Sequence, residues 1–239
     1  MAAMVEFNKY RAHGAYHWEH LKTHPEYGLR VMHCCATAKA TDVVLDLGCG
    51  DGAYMYEMSN YCQHVVGVDG DNDGIECARK ELDEHQVPNY TLVHSVFSDM
   101  QSKMPREFPG YDLIYSMDCI EHLLDPGELL GVIDQYLKPN GQFIIGTPLF
   151  MTEELVSEYH VKEFTRKELH QLIKPKFELV RERWLPARHP KDPSKLKPRF
   201  YLMVCRRRPE LTEKKSSILN AWKKPLRAIR SSLRPAEGP

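Results

Sequence analysis

Residues 44–54 read VLDLGCGDGAY, a short apolar run that carries Asp46 near its end and then turns on glycines at 48, 50 and 52. A strand, a glycine-rich turn and a helical stretch form the opening unit of an open parallel sheet. Such sheets bind ligands at the carboxyl ends of their strands, where the strand order reverses. Gly48 and Gly50 supply a turn that lets the backbone approach a ligand closely. The run GCGDGA also satisfies the dinucleotide fingerprint, so the glycines alone do not separate a nicotinamide nucleotide from another adenosine-containing ligand. Asp46 does. A carboxylate two residues before the first glycine repels a pyrophosphate and suits a ligand that carries an ammonium group.

Outward from this stretch the pattern repeats. HVVGVDG (64–70), YTLVHSVF (90–97), YDLIYSMD (111–118) and QFIIGTP (142–148) are apolar runs of the kind that parallel strands covered on both faces show. Helical segments fall between them at 52–61, 72–86 and 126–137, the alternation that builds βαβ units. A further helix at 165–173 opens on Thr165 with Glu168 three residues on, a capping box. FELVRERWL (177–185) and RFYLMVCRRR (199–208) follow, joined by the proline-rich PARHPKDPSKLKP like a long hairpin. The expectation is a seven-stranded, mostly parallel α/β sheet with helices on both faces and an antiparallel C-terminal strand pair. Residues 1–40 are expected to form an N-terminal cap of one or two helices with a break at His24-Pro25, residues 41–208 the α/β domain, and 209–239 a tail.

Composition narrows the class. The 239 residues are 42% hydrophobic and 27% charged, which excludes wholesale disorder and a collagen-like chain. The seven cysteines are scattered with no C-x-x-C pair, so neither a zinc site nor a disulfide framework is suggested, and a reducing cytoplasm is the natural compartment. No run approaches 18 apolar residues, and the first residues lack a signal-like apolar core. The net charge of -1 hides an asymmetry: residues 197–239 hold 12 Lys/Arg against 3 Asp/Glu, and residues 1–196 hold 20 against 30. An acidic body speaks against a dedicated nucleic-acid binder, which needs a basic face. In the tail, Ile218, Leu219, Trp222, Leu226, Ile229 and Leu233 fall in steps of three and four beside Lys223, Lys224, Arg227, Arg230 and Arg234, with Pro225 inside. Residues 216–234 could be a solvated tail, a binder of an anionic membrane surface, or a helix that docks on a protein partner or the body.

Taken together, V-L-D-L-G-C-G-D-G resembles motif I of the class I S-adenosylmethionine-dependent methyltransferases, whose fold is Rossmann-like. The resemblance implies S-adenosyl-L-methionine as cofactor, with Asp46 holding the methionyl amine and Gly48, Cys49 and Gly50 passing beside it. Asp69 with Gly70, at the end of the second strand and 19 residues after Gly50, suits the two ribose hydroxyls. Asp71 and Asn72 are then left to cap the next helix. By the same resemblance Val96 and Phe97 face the adenine, with Ser98 or Asp99 near its exocyclic amine, and Met117 lies against the cofactor. The stretch YSMDCIEHLLDP with the later LKPNG is similar to the ubiquinone-pathway type of small-molecule O-methyltransferase. In those relatives an arginine placed like Arg30 reaches the cofactor carboxylate.

Asp118, Glu121 and His122 cluster where the fourth strand delivers side chains to the acceptor. His122 could act as general base on a hydroxyl that attacks the sulfonium methyl. Alternatively Asp118, Glu121, His122 and His160 could hold a divalent ion such as Mg2+, as a Glu-x-x-Glu-His version does in some relatives. A third reading is structural, with the Glu capping the next helix and the His packing under the cofactor. SEYHVKEFT (157–165) resembles an H-x-x-E-F-T stretch and places His160 and Glu163 in a loop over the pocket. His17, Trp18 and Tyr27 could build one wall of the acceptor cavity. The expected activity is O-methylation of a small molecule or of a cell-surface sugar or lipid intermediate. The alternatives are methylation of an RNA 2'-hydroxyl or of nitrogen, and a non-catalytic S-adenosylmethionine-binding subunit. No nucleic-acid partner is expected under the leading reading, and the location is cytoplasmic, peripheral to a membrane if the tail binds one.

Overall fold

The computed structural model describes residues 8–189 and 192–209. Seven strands form one sheet in the order β3-β2-β1-β4-β5-β7-β6: β1 (Val43–Leu47), β2 (His64–Asp69), β3 (Tyr90–His94), β4 (Tyr111–Met117), β5 (Leu137–Pro148), β6 (Phe177–His189) and β7 (Asp192–Arg207). β1 to β5 pair in parallel, whereas β7 runs antiparallel to both β5 and β6. The order reverses between β1 and β4, and the residues singled out by the sequence gather beyond the carboxyl ends of these two strands.

The strands are apolar on both sides because both sides are covered. On one face Leu45, Ile114 and Phe143 pack against α7 (Pro126–Tyr136) and α8 (Arg166–Ile173). On the other, Val44, Tyr115 and Ile144 meet α3 (Pro25–Cys35), α4 (Ala53–Ser59) and α5 (Asn72–Glu84). Helix starts follow local chemistry. The Asp71 side chain accepts from the backbone N–H of Asp73 and Gly74, Asp125 accepts from Gly127, and Thr165 with Glu168 closes the capping box. A short α6 (Met100–Lys103) follows β3.

Two expectations need correction. The N-terminal cap is three helices, α1 (Lys9–His13), α2 (Tyr16–Thr23) and α3, because Gly14 at φ +62° breaks the chain before the His24-Pro25 junction does. The proline-rich connection is largely strand: pairing continues through Pro186↔Pro198, Ala187↔Lys197 and Arg188↔Leu196. Pro186 can be accommodated because the register shifts between Leu185 and Pro186, where a missing N–H is tolerated. The basic stripe over 216–234 lies outside the described residues. Among the described residues no helix is long and apolar enough to cross a membrane.

Candidate active site

The turn after β1 is built for close approach. Gly48 (φ +81°) and Gly50 (φ +52°) are left-handed, and a Cβ on Gly48 would sit 2.7 Å from Cys119 Sγ. A Cβ on Gly50 would collide with the Tyr10 hydroxyl, which α1 lays over the turn. The backbone N–H groups of Gly48 and Cys49 donate to Val68 O (2.8 and 3.1 Å), and that of Gly50 donates to Asp69 Oδ2 (2.8 Å). The other Asp69 oxygen accepts from Asp71 N at 2.8 Å. Burial raises the Asp69 carboxyl, and these amide donors oppose the shift. Asp46 is 2% exposed, and its Oδ2 has no hydrogen-bond donor. Burial pushes its carboxyl well above the usual carboxylate range, with the Tyr115 hydroxyl pulling the other way. A buried carboxylate oxygen left without a donor is matched by a cationic ligand.

Two cavities open from this turn. One, of about 280 Å³, is lined by Asp69, Gly70, Ser95, Val96, Phe97 and Leu123 among others. The second, of about 300 Å³, takes in Asp46, Cys49, Met117, Arg30, His17, Tyr27 and His160. Tyr10, Gly48, Asp118 and His122 line both, so the two meet at these residues. Ser98 and Asp99 do not line the first cavity, whereas Ser95 does. The largely apolar cleft above Asp69 and the unpartnered Asp46 oxygen in the adjoining cavity suit a nucleoside that carries an ammonium group.

Trp18 does not line the second cavity. It is 6% exposed, donates from Nε1 to Asp51 O at 2.7 Å, and packs on Tyr56 and His85 behind the wall. Its neighbour His17 does face inward, with its backbone N–H (2.8 Å) and Nδ1 (3.3 Å) on the Asp51 carboxylate. Arg30, expected at a cofactor carboxylate, pairs with Asp118 Oδ2 at 2.8 Å and stacks on Phe200 and Tyr27. Burial works against its charge, and Asp118 more than offsets this. Asp118 itself sits at φ +50°, a left-handed position that aspartate tolerates better than most residues.

Beyond Asp118 the chain turns through residues 120–122. Glu121 is fully buried, with Oε2 accepting from Thr147 Oγ1 at 2.9 Å, and burial followed by the nearby Asp118 raises its carboxyl. His122 Nδ1 is 2.9 Å from Tyr159 O, which makes Nδ1 the donor and Nε2 the basic nitrogen. Burial, then the neighbouring His160, pushes the His122 imidazole down to about 4. The His160 ring stands edge-on to it at 4.9 Å and holds Glu163 Oε1 at 2.8 Å through Nδ1; the other Glu163 oxygen meets Arg199. Burial alone would raise Glu163, but the His160 and Arg199 hydrogen bonds outweigh it and hold the carboxyl low.

Glu121, His122 and His160 bring one ligand atom each within 4.8 Å of one another. Asp118 is not in this group, being committed to Arg30. One carboxylate and two imidazoles do not fit Mg2+, which asks for an octahedron of oxygens. Wall residues that the sequence did not single out include Tyr10, Tyr16, His20, Asp51, Arg188 and Arg199. Only Asp51, next to Gly50 in the glycine turn, carried a local signal.

A sequence profile of a methyltransferase domain matches residues 38–222. The ubiquinone biosynthesis O-methyltransferase of Bradyrhizobium diazoefficiens is 29% identical over 123 residues, 51% of this chain and 44% of that protein. Its mitochondrial counterpart in Schizosaccharomyces pombe is 31% identical over 104 residues, 44% of this chain and 37% of that one. The chain thus matches less than half the length of these curated relatives. The N-methyltransferase NodS from Bradyrhizobium japonicum, solved with S-adenosyl-L-homocysteine, superposes with a TM-score of 0.60 at 15% identity, over 79% of this chain and 90% of that one, and shares the fold. With a methyltransferase profile over most of its length, a sheet in the order 3-2-1-4-5-7-6 and a glycine turn beside a buried carboxylate with one unpartnered oxygen, the chain belongs to the class I S-adenosylmethionine-dependent methyltransferases.

Proposed function

We propose that this enzyme methylates a hydroxyl oxygen of a small molecule, which includes a sugar or lipid intermediate. The observation that carries the reading is the junction of the two cavities at Asp118 and His122, with the basic nitrogen of His122 set by the Tyr159 carbonyl. The O-methyltransferase names of its relatives support oxygen as the acceptor atom. S-adenosylmethionine, when bound, supplies a sulfonium methyl and keeps the electron pair of the sulfur–carbon bond that breaks. Asp46 accepts from its ammonium, Asp69 from its ribose hydroxyls, and Val96 and Phe97 cover its adenine.

Most of the rate comes from holding the acceptor oxygen in line, since positioning replaces a bimolecular encounter. His122 accepts the hydroxyl hydrogen. A hydroxyl oxygen that gains a methyl becomes a far stronger acid than an imidazolium, so an imidazole pushed down to about 4 still takes the proton. The test supplies methyl-labelled S-adenosylmethionine with catechol and with aniline, and locates the label by NMR. The expected product is the O-methyl ether, formed about 100-fold more slowly by His122→Ala, the low end for losing a general base. Label on nitrogen only, or an unchanged rate in the variant, would falsify the reading.

A further inference from the structure

Three guanidinium groups line the acceptor cavity, those of Arg30, Arg188 and Arg199. Such a cluster ordinarily marks a site for a carboxylate or phosphate. Here each already faces a carboxylate of the chain: Arg30 on Asp118 at 2.8 Å, Arg188 on Glu26 at 2.5 Å, and Arg199 on Glu163. Glu26 and Glu163 are 2% and 5% exposed, so these pairs lie largely out of water, where an added charge is felt strongly. The cavity also presents the Asp51 carboxylate, while Asp46 is taken up by the cofactor ammonium under the proposed reading. Lys9, at the rim, lies 4.4 Å from the centre of the Tyr159 ring and in the field of Asp118, Glu121 and Glu158. An entering anion would therefore meet carboxylates as well as the cations they balance.

Rings make up much of the remaining lining, with one face of Tyr27 already stacked by Arg30. Tyr16 and His17 are 4.0 Å apart by centroid, Tyr16 and His20 5.3 Å, and His20 and Tyr27 4.9 Å. Burial, then His17 and His24, holds the His20 imidazole down to about 4, so this ring is uncharged near neutrality. Flat faces of this kind take another ring, either an aromatic ring stacked on them or a sugar laid against them.

We infer that the acceptor is an uncharged hydroxylated ring, and that the paired arginines exclude the same ring when it carries a carboxylate. The inference rests on the proposed reading of this cavity as the acceptor site. The internal ion pairs shape and rigidify the wall, and the ligand contributes hydroxyls and a ring face rather than a charge.

The test uses matched probes on the full chain with S-adenosylhomocysteine present: catechol against 3,4-dihydroxybenzoate, and methyl glucopyranoside against methyl glucopyranosiduronate. Saturation-transfer NMR reads their affinities. In at least one pair the neutral probe is expected to bind about tenfold more tightly than its carboxylate partner, about 1.4 kcal/mol. The pair that responds separates a phenol from a sugar. Glu163→Gln, by removing the charge that balances Arg199, should narrow the gap severalfold. Equal or tighter binding of the carboxylate probe, or no binding of either neutral probe, overturns the inference. The wild-type comparison decides the matter even where the variant unfolds. Calorimetry with S-adenosylhomocysteine on the same samples keeps the two levels apart: a chain that binds it yet prefers the carboxylate probe has lost only this inference.

Discussion

The two halves of the active site are held together differently. The glycine turn and the two carboxylates of the proposed cofactor half come from 24 successive residues, Asp46 to Asp69, and are pinned by main-chain hydrogen bonds such as Gly48 N to Val68 O and Gly50 N to the Asp69 carboxylate. The proposed acceptor half draws its walls from α1 to α3, the turn after β4, the 149–164 loop, β6 and β7. Charged side chains tie it across long distances in the chain; Arg30 and Asp118 lie 88 residues apart. A main-chain framework leaves little freedom to the residues it carries. A side-chain framework can be re-specified by exchanging one pair, and the proposed acceptor cavity is built on such a framework.

The largest effect that should separate them is on stability. Arg199→Met leaves the Glu163 carboxylate buried beside His160 alone and should lower unfolding free energy by about 3–5 kcal/mol in urea melts near neutral pH. Glu163 titrates below its ordinary value in the folded chain, so the pair's contribution is present above the usual glutamate range and lost as pH falls through the lowered value. The gap between wild type and variant should accordingly close in acid. A gap that stays constant with pH would mean that the Arg199 pair does not hold the acceptor wall.

Next in size comes the cofactor half. Asp69→Ala removes the acceptor of two backbone donors and the proposed ribose contact, and should weaken S-adenosylhomocysteine binding about 100-fold, close to 3 kcal/mol by calorimetry. Arg199→Met, by contrast, should leave that affinity nearly unchanged in whatever fraction stays folded. If both variants lose cofactor binding equally, the two halves are one unit and the comparison fails.

The smallest effect lies at the junction. His122 is held at about 4 in the folded chain against an ordinary 6.5, so the unfolded chain takes up a proton that the folded chain resists. Stability should fall by about 2–3 kcal/mol in all as pH drops from 6.5 toward 4, and His122→Gln should remove most of that fall. Thermal melts across this window check it, and an unchanged slope would place His122 in a wetter setting than the structure shows.

Much of the molecule was legible in order along the chain. The strand runs, the glycine turn, the Thr165–Glu168 capping box and the helix cap at Asp71 all rest on interactions between residues a few positions apart, which a sequence displays directly. The proline-rich segment between residues 186 and 198 forms more strand than its composition implied, because proline disfavours strands locally whereas a register shift in the sheet made room for it. Trp18 misled for a related reason: nothing in its neighbourhood tells the inward face of α2 from the face that packs behind the wall.

What the sequence determined by itself was the βαβ order and the carboxylates that bracket the glycine turn, because backbone geometry and close spacing settle both. Only the tertiary structure decided that Arg30 belongs to Asp118 and Arg199 to Glu163, that Asp118 stands apart from Glu121, His122 and His160, and that the rings of α2 and α3 face the cavity. A charged side chain reaches several ångströms in any direction and pairs with whatever opposite charge the fold brings near. The identity of that partner is a property of packing between distant segments, not of spacing along the chain.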